Sequence, residues 1–264
     1  MAPDADSTWV ADMPAAYDRH LGPVFFAPYG EYLAAALVPL APRRVLELAA
    51  GTGRVTGALV AALPGAEVVA TDLNPAMVAL GASRVPGASW QQADALSLPF
   101  EDGRFDAVVC SFGVMFFPDR VGALAEVVRV LVPGGTALLT TWDSVETHPF
   151  AHAVVTALER VLDDPPTFVV RVPHGYHDPG QIEADACAAG LRSVSVEPVE
   201  LSGTAGSARD VALGVCTGSP LRVALEERGD LTGLTDEVAA VTEELLGAGP
   251  VTATMRAYLV TGRR

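Results

Sequence analysis

The chain contains no lysine, so all 17 of its lysine-or-arginine side chains are arginine, and Ile182 is its only isoleucine. A G+C-rich coding sequence is sufficient reason for that bias, but the chemical consequence stands. Without lysine there is no Schiff-base amine and no P-loop lysine, which excludes pyridoxal-phosphate catalysis and ordinary P-loop phosphate binding. Cysteine is scarce as well. Cys110, Cys187 and Cys216 lie far apart with no CxxC pair, the pattern of reduced, structural thiols in a cytoplasmic protein. Positive charge is in short supply, with a formal net charge of −15. Nucleic-acid binding needs clustered basic residues, and anionic membranes attract them, so neither partner is expected. Residues Met1–Asp12 carry no basic segment followed by an apolar one, so no signal peptide is expected. The uncharged apolar run Ala107–Pro118 is too short to span a bilayer.

What is present is a chain of 264 residues, half of them hydrophobic. That suits one α/β domain with a cap, or at most two small domains. Pro14–Leu40 reads as helix in two pieces, broken near Gly22-Pro23 and Pro28, after a loose start at Met1–Asp12. From Arg44 the pattern alternates. Strands are expected at Arg44–Leu48, Glu67–Thr71, Ala88–Gln92, Phe105–Cys110 and Thr136–Trp142. Helices are expected at Arg54–Leu63, Pro75–Ser83 and Asp119–Val130. Short apolar strands joined by helices imply parallel pairing with right-handed crossovers. Such sheets bind ligands at the carboxyl ends of their strands. Beyond Trp142 the expectation is a helix at Phe150–Leu162, a Pro-rich loop at Asp163–Gly180 and a helix at Pro179–Ala189. Strands follow at Ser193–Leu201 and Thr252–Thr261, around a helical insertion at about 203–249. The whole is read as one domain: a helical cap (1–40), a ligand-binding core (41–142) and a substrate-side half (143–264).

The informative stretch is Val45-Leu46-Glu47-Leu48-Ala49-Ala50-Gly51-Thr52-Gly53-Arg54. A strand ends near an acidic residue, turns through glycines and enters a helix. Glycine permits close backbone approach to a ligand, and the helix N-terminus offers unpaired N–H groups. Asp72 ends the next strand, where a carboxylate can accept both hydroxyls of a ribose. Asp94 follows the third strand, placed to receive an amino group. The glycine spacing Gly51-x-Gly53-x-x-x-Gly57 departs from the dinucleotide pattern. Glu47 just before the turn repels a pyrophosphate and suits a ligand with a cationic end.

The segments VLELAAGTG (Val45–Gly53), ATDLNPAMV (Ala70–Val78), QADALSLPFEDGRFDAVVCSFGVMFFPD (Gln92–Asp119) and RVLVPGG (Arg129–Gly135) together resemble the class I, Rossmann-like S-adenosylmethionine-dependent methyltransferases. They cover about a hundred residues in the family's order. The resemblance implies a doubly wound, mostly parallel seven-stranded sheet with helices on both faces, a last antiparallel strand and a helical cap. It implies S-adenosylmethionine as cofactor. Gly51 and Gly53 would line its methionyl part, with Glu47 at its cationic end and Ala49 in the same turn, where the family often has glycine. Asp72 would take the ribose hydroxyls, Leu73 would pack on the adenine, and Asp94 and Ala95 would meet the adenine edge. The backbone of Ser111 and Phe112 would approach the methionine amine. Tyr17 is a candidate to close the pocket.

Methyl transfer from a sulfonium is an in-line displacement, so alignment matters most and a base is needed only for a protonated nucleophile. The candidate bases are His148, His174 and His177, with Tyr176 as an orienting group. No metal site is expected. The apolar loop Gly113–Phe117 could floor a substrate pocket opposite Phe25, Phe26 and Tyr29. The function implied is methyl transfer to a small molecule of apolar character, with oxygen favoured over nitrogen or carbon. The alternatives are a protein that uses the same cofactor without methyl transfer, and an NAD(P)-dependent oxidoreductase.

Overall fold

The computed structural model describes residues 12–264, so the expectations for residues 1–11 lie outside the described residues. A helical run opens the description: α1 (Met13–Ala16), a π-helical stretch (Tyr17–Phe26), α2 (Ala27–Leu37) and a 3₁₀ turn (Val38–Leu40). The expected break at Gly22-Pro23 is absent. The Ala27 N–H reaches back five residues to the Gly22 carbonyl, and this wider register accommodates Pro23, which has no N–H to give. By length and composition alone the run Met13–Leu40 could cross a membrane. Half of its most apolar window is buried within the protein, as in a core helix.

Alternation then begins with β1 (Arg44–Leu48), α3 (Arg54–Ala62), β2 (Glu67–Asp72), α4 (Pro75–Arg84) and β3 (Ser89–Gln92). It continues with β4 (Phe105–Ser111), α5 (Arg120–Val130) and β5 (Leu131–Trp142). Caps set these boundaries. Asn74 accepts the Ala76 N–H with Pro75 at the first helical position, and Asp119 accepts the Gly122 N–H. β5 begins five residues earlier than expected. Leu131 pairs with Phe105 before the ladder resumes at Thr136↔Ala107, so Pro133-Gly134-Gly135 is spanned as an irregularity within the strand.

The remaining elements are α6 (Pro149–Val161), α7 (Phe168–Arg171), α8 (Pro179–Ala188), β6 (Arg192–Ala205), α9 (Ala208–Thr217), α10 (Leu221–Glu226), α11 (Leu231–Leu246) and β7 (Val251–Arg263). Asp178, Ser207 and Asp230 cap α8, α9 and α11. The short helix α7 lies in the stretch expected to be all loop, where Phe168 and Val169 find buried positions.

The seven strands form one sheet in the order β3-β2-β1-β4-β5-β7-β6. β1 to β5 pair in parallel, and β7 runs antiparallel to β5. This is the doubly wound fold expected from sequence. Strand order reverses between β1 and β4, which places the ligand crevice at their carboxyl ends.

The chain groups into two compact units. The sheet unit comprises Tyr29–Trp142, Tyr176–Val199 and Ala257–Arg264. Its core is built by Leu33 and Leu37 of α2, Val45 of β1, Leu59 of α3, Val68 of β2 and Val109 of β4. The helical unit comprises the described residues up to Pro28, Asp143–Gly175 and Glu200–Arg256. In it α9 packs against the π-helical stretch and against α6, α10 and α11. Gly214 allows this approach, since a Cβ there would come within 2.6 Å of Leu21 Cδ2.

Candidate functional site

The site in the sheet unit starts at Glu47. β1 pairs on both sides, with Glu47 opposite Ala70 of β2 and Val109 of β4. Its backbone is committed to the sheet, and the Thr71 hydroxyl donates to its carbonyl at 2.9 Å. Its side chain is only 1% exposed, and Oε2 has no hydrogen-bond partner among the described residues. Burial, with the Asp72 carboxylate nearby, pushes the Glu47 acid up to about 8, and the Thr56 hydroxyl only partly offsets this.

The turn after β1 is left-handed at three positions: Ala49 (φ 51°), Gly51 (φ 55°) and Gly53 (φ 86°). Two are glycines, which adopt this region without strain, while Ala49 carries a Cβ into it. Gly113, after β4, faces this turn. A Cβ on Gly113 would lie 2.4 Å from Ala49 Cβ and 2.8 Å from Cys110 Sγ. Sequence reading treated Gly113 only as part of an apolar loop and missed this close approach.

Asp72 ends β2. Its Oδ2 accepts the Gly51 N–H at 2.8 Å and its Oδ1 accepts the Asn74 N–H at 2.9 Å. Burial raises its acid, and those N–H donors work against the rise. Each carboxylate oxygen keeps acceptor capacity after one such bond. Leu73 is 61% exposed beside it, an uncovered apolar side chain at the strand end. Asp94 is exposed, and its Oδ1 accepts the Leu96 N–H at 2.9 Å in a tight turn that includes the half-buried Ala95. At the end of β4, the Ser111 hydroxyl meets the Thr140 hydroxyl at 3.2 Å. Phe112 takes a left-handed φ of 54°, and its N–H donates to the Thr140 carbonyl at 3.1 Å. Its ring stacks on Trp142 at 3.7 Å.

Tyr29, expected as a pocket wall, is fully buried and meets Phe112 and Trp142 edge-on. It belongs to the core. Val114 and Met115 of the Gly113–Phe117 loop are buried too. In the same unit the Arg120 guanidinium lies 4.4 Å from the Tyr176 ring, and the Tyr176 hydroxyl donates to Asp185. Tyr176 thus orients on Asp185 and not on a histidine. His177 is exposed, and Asp178 caps α8.

His148 and His174 lie in the helical unit. Both are buried, with ring centroids 5.3 Å apart, and Phe25 packs on His148 at 4.9 Å. The Ala151 N–H donates to His148 Nδ1 at 3.3 Å, so the neutral ring carries its proton on Nε2. Burial and the neighbouring His174 hold His148 well below the ordinary imidazole range. His174 has the other tautomer. Its Nδ1 donates to the Asp143 carbonyl at 2.8 Å, which makes Nε2 its basic nitrogen. Tyr17 is half-buried in this unit and stacks on Phe26 at 5.0 Å.

Among the described residues no arginine pairs with either carboxylate, which suits this turn poorly to phosphate and well to a cation-bearing nucleoside. The methyltransferase-domain family profile matches residues 45–135, the segment that builds this edge. Over residues 45–135 the chain is similar to methyltransferase domains, a likeness that agrees with S-adenosylmethionine as cofactor. Among its relatives, demethylmenaquinone methyltransferase from Thermus thermophilus is 40% identical over 126 residues, covering 46% of this chain and 57% of that one. The chain spans about half the length of the curated relatives it matches. Among solved structures, the YcgJ protein of Bacillus subtilis has a TM-score of 0.55 at 21% identity, covering 88% of this chain and 98% of its own. Phosphoethanolamine N-methyltransferase 2 of Haemonchus contortus, in complex with S-adenosylmethionine, has a TM-score of 0.61 at 17% identity, covering 98% of this chain and 58% of its own. These two share the fold. The residues present fit the cofactor: Glu47 Oε2 is an orphaned buried acceptor beside the turn, and Asp72 retains acceptor sites at the next strand end.

Proposed function

We propose that the protein transfers a methyl group from S-adenosylmethionine to a small organic acceptor of apolar character. The observation that carries this reading is Glu47, a buried acidic side chain that has no cationic partner among the described residues, at the mouth of a glycine turn. When bound, S-adenosylmethionine supplies an activated methyl group on a sulfonium. In this reading Gly51, Gly53 and Ala49 give the close backbone surface, Asp72 accepts the ribose hydroxyls, and Leu73 packs on the adenine. Asp94 and Ala95 meet the adenine edge, and the backbone at Ser111 and Phe112 holds the amine. Tyr17 keeps its proposed role as a pocket-closing side chain. Where the acceptor arrives protonated, His148, His174 and His177 are the proposed bases.

The relative named demethylmenaquinone methyltransferase favours a quinol-like acceptor and transfer to carbon over the oxygen favoured on sequence grounds. Unpaired Cys110, Cys187 and Cys216 accord with a cytoplasmic location, and the net charge of −15 disfavours a nucleic-acid substrate. Incubation with labelled S-adenosylmethionine and a panel of quinols, phenols and amines tests the proposal. The expected result is a singly methylated small molecule and stoichiometric S-adenosylhomocysteine. Labelling of protein or RNA alone would refute the acceptor class. Cofactor binding with no transfer to any acceptor would favour a non-methylating role, and tight NADH binding without S-adenosylmethionine binding would overturn the reading entirely.

A further inference from the structure

Glu47 sits in an environment that cannot hold a negative charge alone. Its side chain is 1% exposed. The groups that face it are the Asp72 carboxylate on β2, the Cys110 thiol on β4 and the Thr56 hydroxyl on α3. None of these is a cation. An isolated buried carboxylate is strongly disfavoured in its charged form, and a second carboxylate adds repulsion. We propose that Glu47 is a neutral acid in the ligand-free protein and loses its proton to solvent when a cationic ligand occupies the Gly51–Gly53 turn. Binding and deprotonation are then one coupled step. This rests on the proposed function, because the cationic ligand is S-adenosylmethionine. The balance is simple. The O–H bond of Glu47 breaks, the proton passes to the buffer, and the carboxylate left behind neutralises one positive charge of the ligand.

The upward displacement of the Glu47 acid to about 8 fits this geometry. Below that pH the affinity should rise about tenfold per pH unit, and above it the affinity should level off. Cys110, whose thiol is pushed up to about 12 by burial first and by Glu47 among lesser causes, stays protonated throughout.

Calorimetric titration with S-adenosylmethionine at pH 7, in two buffers of different ionisation enthalpy, counts the protons. The expected result is about one proton released per site, and none for Glu47→Gln. Infrared difference spectra of the ligand-free protein against Glu47→Gln should show a protonated carboxyl at neutral pH. That readout needs no ligand, so failure of the proposed function remains distinguishable from failure of this inference. Binding without proton release, equal release in Glu47→Gln, or an ionised carboxylate in the ligand-free spectrum would each overturn the inference.

Discussion

The Gly51 backbone N–H donates to Asp72 Oδ2 at 2.8 Å, tying the turn after β1 to the last residue of β2. Asp72 therefore shapes the turn as well as offering a carboxylate at the crevice. Asp72→Ala removes a partner from both Gly51 and Asn74. It should weaken S-adenosylmethionine binding by about 1–3 kcal/mol, the usual cost of leaving polar groups unpaired. Calorimetry checks this, and an unchanged dissociation constant would remove Asp72 from the binding edge.

Ala49 and Gly113 should be energetically coupled. Gly113→Ala drives a methyl against Ala49 Cβ and should destabilise the fold by about 1–3 kcal/mol. Ala49→Gly removes both that methyl and the left-handed strain at φ 51°, and should be neutral or stabilising by up to roughly 1 kcal/mol. Combined with Gly113→Ala, it should recover part of the loss. Denaturant melts of the four proteins complete the cycle; strict additivity would show that the two residues do not meet.

Glu47 also makes stability depend on pH. Its acid lies near 4.5 in the unfolded chain and at about 8 in the fold. The folded state therefore holds a proton that the unfolded state has released between those values. Its contribution is fully present below about 4.5 and is lost as pH rises through about 8. Glu47→Gln should remove this slope, so the variant's relative melting temperature improves from pH 5 to about pH 8 and levels off above it. Parallel slopes for the two proteins would show that Glu47 is not protonated in the fold.

Arg129 explains why the RVLVPGG segment starts with a cation. It donates to Glu126, Asp102, the Leu98 carbonyl and the Phe100 carbonyl, joining α5 to the loop after β3. Arg129→Met leaves two carbonyls without this donor and should cost about 1–3 kcal/mol. The guanidinium hydrogen bond holds the Glu126 acid below its usual range. That part of the stability is present above the ordinary glutamate range and is lost as pH falls through the lowered value. Thermal melts at pH 7 and pH 3 should show the wild-type advantage over Arg129→Met shrinking in acid. An advantage of equal size at both values would contradict the ion-pair account.

The first half of the fold was legible because its signals are local. Valine-rich strands, the Asn74-Pro75 cap and the Asp119 cap act over a few residues, and their alternation admits few topologies. The placement of Glu47, Gly51, Gly53 and Asp72 at strand ends and turns was legible for the same reason. The helical run through Pro23 was misread because proline normally breaks an α-helix, and the wider π register that absorbs it has no simple sequence mark. Tyr29 reads from sequence as a pocket wall, because an aromatic side chain in an N-terminal helix looks the same whether it faces a ligand or, as here, Trp142 and Phe112.

Alone, the sequence determined the order of elements, the parallel core and the carboxylates along its edge, because period, caps and turns are short-range properties. Tertiary structure alone decided that Glu47 has no cationic partner among the described residues, that Ala49 and Gly113 touch, and that His148 and His174 carry their protons on different nitrogens. Each of these depends on residues distant in the chain or on backbone groups that only the finished fold brings within hydrogen-bonding or van der Waals range.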